Sequence, residues 1–231
     1  MKILGIDSSA KSASVAITDG EKILGSFYTN TGLTHSQTLM PMVEELLKNS
    51  NVTLDEIELI AVNKGPGSFT GVRIGVAAAK GLADVKKIPV YGSSTLASMA
   101  YNLIDLDCIA CCVMDARCSQ VYNAFFDITD GKITRLTEDN ADSIENVLTK
   151  LKKYEKTKIL VGDGAEICYN SLNGDNSIHI AHQNNRYQSA VGVCFDAMNT
   201  PNSYIESSRL VPEYLRLPQA QRELNKKLKG V

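Results

Sequence analysis

No apolar run in this 231-residue chain reaches the roughly 20 residues that span a bilayer as a helix. The opening MKILGIDSSA carries one Lys and a short apolar run that stops at Asp7, with no small-residue cleavage pattern behind it. No signal segment is expected, and the chain reads as cytoplasmic. Charge of one sign is missing too: a net charge of −2 gives no general pull toward nucleic acid, whose direct binders usually show a basic face. A Walker A string is absent. So is a serine-hydrolase elbow, since Gly67-Ser-Phe-Thr-Gly71 carries Phe69 where the nucleophile would stand. Cys108-Ile-Ala-Cys111 spells C-x-x-C, but no second pair follows to complete a zinc set. On a buried strand DCIACCVMD its two thiols would point to opposite faces. All 6 cysteines are expected mainly as thiols.

What is present is ordinary globular material, 44% hydrophobic, which argues against disorder. KILGID, SASVAIT and KILGSFYT alternate as strands, with Asp19-Gly20 as a hairpin turn between the last two. A helix is expected from Thr34, where Thr34 and Gln37 have capping-box spacing. Its apolar stripe is Leu39, Met42, Val43, Leu46 and Leu47, and Pro41 should kink it or restrict its first turns. IELIAVNKG then reads as a strand, FTGVRIGVAAAKGLAD as a helix and IPVYGS as a strand.

The pattern restarts after residue 104. Laid on the opening, IACCVMDARCSQVYNAFFDITDGKITRLT puts Asp115 on Asp7 and Asp130-Gly131 on Asp19-Gly20, with about three residues inserted. A helix near 142–153, the strand KILVGD, the helix AEICYNSL, the short strand SIHIA and the helix YQSAVGVCFDAMN follow. A repeated unit of three antiparallel strands, helix and strand implies duplicated α/β domains. The expected division is 1–104, joined by part of 187–217, then 105–186, with a polar tail at 218–231.

The glycine-rich stretch GPGSFTGVRIGVAAAKG, residues 65–81, holds the sharpest question. Ser68 can cap the helix, and free amides there could hold an anion. On the helix Val72, Val76, Ala79 and Ala83 form one apolar face, and Gly71, Gly75, Ala78 and Leu82 a smoother one. Each interior glycine costs a helix about 1 kcal/mol relative to alanine, so a surface is expected to pack against bare backbone there. That surface is either a partner or the chain's own sheet. His35 reads as a helix-start residue rather than a metal ligand, and His179 and His182 lack further ligands nearby in sequence. Asp115 and Arg117 read as an ion pair or a clamp between domains. The basic ending QRELNKKLKG reads as a solvated helix.

The duplicated arrangement, with Asp7 closing the first strand and Ser8 and Ser9 after it, resembles the actin–hexokinase–heat-shock ATPase superfamily. Within it, GPGSFTGVRIG, HSQTLMP, MDAR with VY, and VPEYLR resemble the TsaB family, the smaller bacterial proteins required to make threonylcarbamoyladenosine beside the tRNA anticodon. The resemblance implies actin-like, ribonuclease H-like duplicated domains, each a mixed sheet with a three-stranded antiparallel meander flanked by helices. It implies a non-catalytic activator of threonylcarbamoyl transfer to tRNAs that read ANN codons. Its partners would be a TsaD-like catalytic subunit and a TsaE-like ATPase, with tRNA met indirectly and a homodimer formed in isolation. The implied interface is His35, Ser36, Leu39, Met42, Val43, Leu46, Phe69, Thr70, Gly71, Arg73, Ile74, Gly75, Ala78 and Leu82. The superfamily's phosphate and magnesium positions would fall on Asp7, Ser8 and Ser9, and its adenosine-side turn on Gly162 and Gly164, allowing weak ATP or ADP–magnesium binding. The H-x-x-x-H metal motif of TsaD maps onto Thr95 and Met99, which are poor ligands for iron or zinc, so the metal centre is expected only in the partner. A stand-alone ATPase or small kinase of the superfamily is the alternative, and a metallopeptidase-like protein a weaker one.

Overall fold

A computed structural model describes residues 1–216 other than Asn173 and Asp175; the tail expected at 218–231, with its basic string, lies outside the described residues. The chain opens with β1 (Lys2–Asp7), β2 (Ala13–Asp19) and β3 (Lys22–Thr29), an antiparallel meander. Helix α1 (His35–Asn49) leads to β4 (Leu59–Gly65), parallel to β1, and α2 (Phe69–Lys86) leads to β5 (Val90–Ser94), parallel to β4. Helix α3 (Thr95–Ala100) follows. The second sheet repeats the scheme with β6 (Cys108–Asp115), β7 (Gln120–Thr129) and β8 (Lys132–Arg135), plus β9 (Asn140–Ser143) paired to β7. Then come α4 (Ile144–Leu151), β10 (Lys158–Val161), α5 (Ala165–Asn170), β11 (Ile178–Ile180), α6 (Gln183–Arg186) and α7 (Ala190–Met198).

The strand orders are β3-β2-β1-β4-β5 and β11-β10-β6-β7-β8, the same connectivity twice. Asp7 and Asp115 each end the leading strand of their sheet, as the sequence alignment required. The two Asp-Gly turns also correspond, and Gly20 and Gly131 sit at φ +57° and +69°, where a side chain would be strained. The duplication is therefore structural, and the fold is the actin-like one.

Each sheet is covered on both faces. In the first, α1 and α2 bury Leu39, Val43, Leu46, Val72, Val76 and Ala79 against Leu4, Ile6, Val15 and Val62. On the other face α7 brings Val193, Cys194 and Ala197 against Ile3, Ala16 and Ala61. Gly5 permits this return: a Cβ there would stand 2.5 Å from the Ala190 carbonyl oxygen, and the Ala190 N–H donates to Ser14 Oγ at 2.7 Å. In the second sheet Cys108 faces the α3 side and Cys111 the α4–α5 side, so the C-x-x-C thiols diverge. Burial pushes both thiols up, to about 11 for Cys108 and well above the ordinary value for Cys111, which makes redox use unfavourable.

Two local expectations need correction. The Thr34 side chain makes no capping hydrogen bond to α1, because the box partner Gln37 only uses its backbone N–H, on the Thr34 carbonyl. Helix α4 spans Ile144–Leu151, shorter than 142–153, because Asn140–Ser143 is drawn into the sheet as β9.

Candidate functional site

The glycine-rich stretch is a clasp around the turn that follows β1. Gly65 and Gly67 adopt φ +127° and +157°. A Cβ on Gly67 would lie 2.3 Å from the Ser9 carbonyl oxygen, and the Ser68 N–H donates to that oxygen at 2.6 Å. A Cβ on Gly71 would lie 2.1 Å from the Ser8 carbonyl oxygen, and one on Gly75 2.5 Å from Ser8 Oγ. Ser8 Oγ in turn donates to the Gly71 carbonyl at 2.9 Å. Ser68 caps α2 as expected, accepting from the Gly71 N–H. His35 closes the clasp from α1, its Nε2–H donating to the Ala10 carbonyl at 2.8 Å.

The expected partner contacts therefore divide. Gly71 and Gly75 are buried and their missing side chains make room for Ser8, so the chain's own β1 turn is what packs on the bare backbone. Leu39, Met42, Val43 and Leu46 are core residues, none more than 8% exposed. These six expected interface residues lie within the chain's own core, because a stripe at helical spacing is consumed first by the sheet beneath it. His35, Phe69, Ile74, Ala78 and Leu82 are half-buried, while Ser36, Thr70 and Arg73 are exposed. Alongside them Leu33, Met40 and Val85 are 60%, 44% and 71% exposed. Gly81, which the sequence reading passed over, lies on the outer side of α2, where a Cβ would meet nothing within 4 Å. Its signal was available: a glycine inside a helix with neither a turn nor a core neighbour to justify it.

Between the two sheets lies a cleft of about 400 Å³, lined by Ser9 to Lys11, Gly67 to Thr70, Met114 to Arg117, Tyr122, Asp163 and Glu213 to Arg216. Of the five residues expected to meet nucleotide, Ser9 alone lines it. Asp7 is fully buried, its Oδ1 accepting from Ser9 N–H at 3.1 Å, Ser9 Oγ at 2.7 Å and Asn63 Nδ2 at 2.8 Å. Its Oδ2 has no partner among the described residues, and burial raises its pKa. Such a carboxyl has no open face for a hydrated magnesium ion. Gly162 and Gly164 are pressed on β6, where a Cβ would stand 2.0 Å from the Val113 carbonyl oxygen and 2.9 Å from the Met114 carbonyl carbon. These residues do not fit a magnesium–nucleotide cradle, and we assign no nucleotide step to them.

Across the cleft, Asp163 accepts from Gln188 Nε2 at 3.0 Å, and burial pushes its pKa up to about 6. Thr95 and Met99 are both fully buried, the latter within the core beneath α3. His179 and His182 sit on β11 and at the start of α6, and the described residues hold no group of three or more His, Cys, Asp or Glu suited to a metal. Asp115 accepts from the Arg117 N–H at 2.7 Å, a turn-stabilising bond.

The C-terminal stretch VPEYLR runs past this cleft. The Glu213 N–H donates to the Lys64 carbonyl at 2.7 Å, the Glu213 carboxylate pairs with Lys64 Nζ at 2.9 Å, and Gly65 leaves room for the Glu213 carbonyl. Tyr214 stacks on Phe69 at 4.6 Å between centroids, and Arg73 lies 3.9 Å above the Phe69 ring while its Nε donates to the Tyr214 hydroxyl at 2.8 Å. Arg216 Nη1 donates to the Ala116 carbonyl at 2.7 Å, in the second half of the molecule.

Comparison with known proteins places this architecture. Residues 29–216 match the model of the family described as TsaD, tRNA N6-adenosine threonylcarbamoyltransferase. The tRNA threonylcarbamoyladenosine biosynthesis protein TsaB of Bacillus subtilis is 29% identical over 96% of this chain and 96% of its own length. The TsaB protein of Buchnera aphidicola subsp. Schizaphis graminum is 32% identical over 81% of this chain and 89% of its own. A Pseudomonas aeruginosa crystal structure, described as an uncharacterized protein with similarity to the peptidase YeaZ, superposes with a TM-score of 0.80 at 25% identity, covering 93% of this chain and 99% of that one. The chain belongs to the TsaB family of tRNA threonylcarbamoyladenosine biosynthesis proteins, within the wider TsaD family whose model it matches, and its role lies in that tRNA modification.

Proposed function

We propose that this chain is a non-catalytic subunit that docks a TsaD-like catalytic subunit through the outer faces of α1 and α2 and holds that subunit in its active geometry. The supporting observation is the face itself. Met40 on α1 and Val85 on α2 are exposed, helical spacing puts the half-buried Ile74 and Ala78 and the exposed Val85 on the same face of α2 as Gly81, and a Cβ on Gly81 would meet nothing within 4 Å. Against a catalytic role, matching the proline and glycine of the strand IPVYG puts Thr95 and Met99 at the positions of the H-x-x-x-H motif of TsaD, and the metal centre would then lie in the partner. A TsaE-like ATPase would join the complex, tRNA would be met through the partner, and the isolated chain would pair with itself through the same face. The setting is the cytoplasm, where tRNA is modified. Activation requires that docking favour the partner's active conformation over its idle one.

The test is tRNA threonylcarbamoylation by the TsaD-like subunit with and without this chain and with Gly81→Leu. Replacing an exposed helical glycine should stabilise the isolated chain by about 1 kcal/mol. The same change should obstruct close helix approach, so a more stable but non-activating variant is expected. Full activation by Gly81→Leu, or modification that proceeds equally without the chain, would remove this reading.

A further inference from the structure

The C-terminal stretch touches both places that matter, and nothing in the docking reading requires that it should. At one end, Tyr214 covers Phe69 and holds Arg73, residues in the first turns of α2 beside the exposed face. At the other end, Arg216 donates to the Ala116 carbonyl, on the turn between β6 and β7 in the second half. In between, Glu213 is bonded twice to Lys64, at the end of β4. Gly65 exists in a backbone conformation that admits the Glu213 carbonyl, so the path of this segment is built into the glycine loop itself. Within the turn the Ala116 N–H donates to the Gln120 carbonyl at 3.0 Å and the Gln120 N–H to the Arg117 carbonyl at 3.2 Å, and from outside it the Ile144 N–H donates to the Ser119 carbonyl at 3.2 Å.

We propose that residues 213–216 form a strap that couples the head of α2 to the β6–β7 turn across the cleft, with Tyr214 and Arg216 as positioning residues that convert docking on α2 into a fixed angle between the two halves. The activation side rests on the docking reading above; the coupling itself is a property of this chain alone. An aromatic stack with a bonded guanidinium is a rigid attachment, and it lies where a partner helix would press. Displacing Tyr214 moves Arg216, and with it the turn whose carbonyl Arg216 holds.

Two arms test this. In the isolated chain, hydrogen exchange of the Ala116 and Gln120 amides is measured for wild type and Tyr214→Ala. Faster exchange on the far side of the cleft, by about threefold or more, is expected if the strap couples the halves; unchanged exchange there overturns the proposal whatever the partner does. In the second arm, affinity for the TsaD-like subunit and tRNA modification at saturation are measured for wild type, Arg216→Ala and Arg216→Lys. Arg216→Ala should bind within about twofold of wild type yet lose about tenfold in maximal activation, with Lys restoring most of it through the same donor position. Full activation by Arg216→Ala at saturation overturns the strap while leaving docking intact. Failure of the wild-type chain to bind overturns the docking reading and the activation side of the proposal with it, and the exchange arm alone then decides the coupling.

Discussion

The two halves share a strand order, yet their covering helices differ. Helices α1 and α2 have 15 and 18 residues, whereas α4 and α5 have 8 and 6. At 1.5 Å per residue α2 extends about 27 Å, roughly three times α5. In α4 the apolar residues Val147, Leu148 and Leu151 are all buried, so that helix does little more than cover its sheet. The longer pair also buries a stripe, but it leaves Met40 and Val85 outside along with a helical glycine in open space, where the shorter pair leaves Tyr169 of α5 exposed. A sheet face needs only one apolar stripe per helix. Length and apolar surface beyond that requirement are what the docking reading proposed above draws on.

The contrast can be broken most severely on the inner side of α2. Gly71→Leu should destabilise the chain by about 3 kcal/mol, because its first side-chain atom meets the Ser8 backbone and not a side chain that can turn away. Urea-induced unfolding reads this directly, and a loss no larger than that of an ordinary surface substitution would show that the clasp is loose. Set beside the stabilised Gly81→Leu, the pair separates the glycine the fold requires from the glycine it does not.

A smaller effect is expected in the second half from Asp163. Its folded pKa of about 6 lies above the ordinary value of 3.8, so the folded chain holds the proton more tightly than the unfolded one. The resulting stability is fully present below about pH 4 and is lost as pH rises through 6. Asp163→Asn should abolish that decline, flattening the unfolding midpoint between pH 4 and 7 relative to wild type. An unchanged slope would assign the decline to another carboxyl, with Asp7 in the first half the leading candidate because burial raises it too.

The smallest change involves no mutation. Five of the 6 cysteines are buried, and Cys118 alone is exposed. A thiol reagent should therefore modify one cysteine quickly in the native chain, mapped to Cys118, and the rest only on unfolding. Rapid labelling of Cys111 or Cys112 would mean that the second sheet opens far more readily than the first.

Much of this was legible from the residues. The alternating strands, the two Asp-Gly turns and the register of Asp7 on Asp115 are local signals, since a turn or a two-residue period needs only neighbours in the chain. What helical spacing leaves open is the surface a stripe packs on. Leu39, Met42, Val43 and Leu46 form a stripe whether the surface beneath is the chain's own sheet or a partner. Gly71 and Gly75 invite close approach without naming what approaches. Thr34 and Gln37 had capping spacing, and Thr34 has extended N-cap backbone, but the Gln37 N–H goes to the Thr34 carbonyl and not to its side chain.

By itself, then, the sequence determined the duplicated α/β organisation, the glycine-rich helix start and the absence of a histidine metal motif, all written in short-range periodicity and residue identity. Only the tertiary structure decided that the glycines clasp Ser8 and Ser9, that the expected nucleotide residues are spent on internal contacts, and that VPEYLR bridges the cleft. Several of those contacts join residues far apart in the chain, such as Ser8 to Gly71 and Arg73 to Tyr214. Packing at that separation is set by how whole sheets and helices come together, and no local pattern records it.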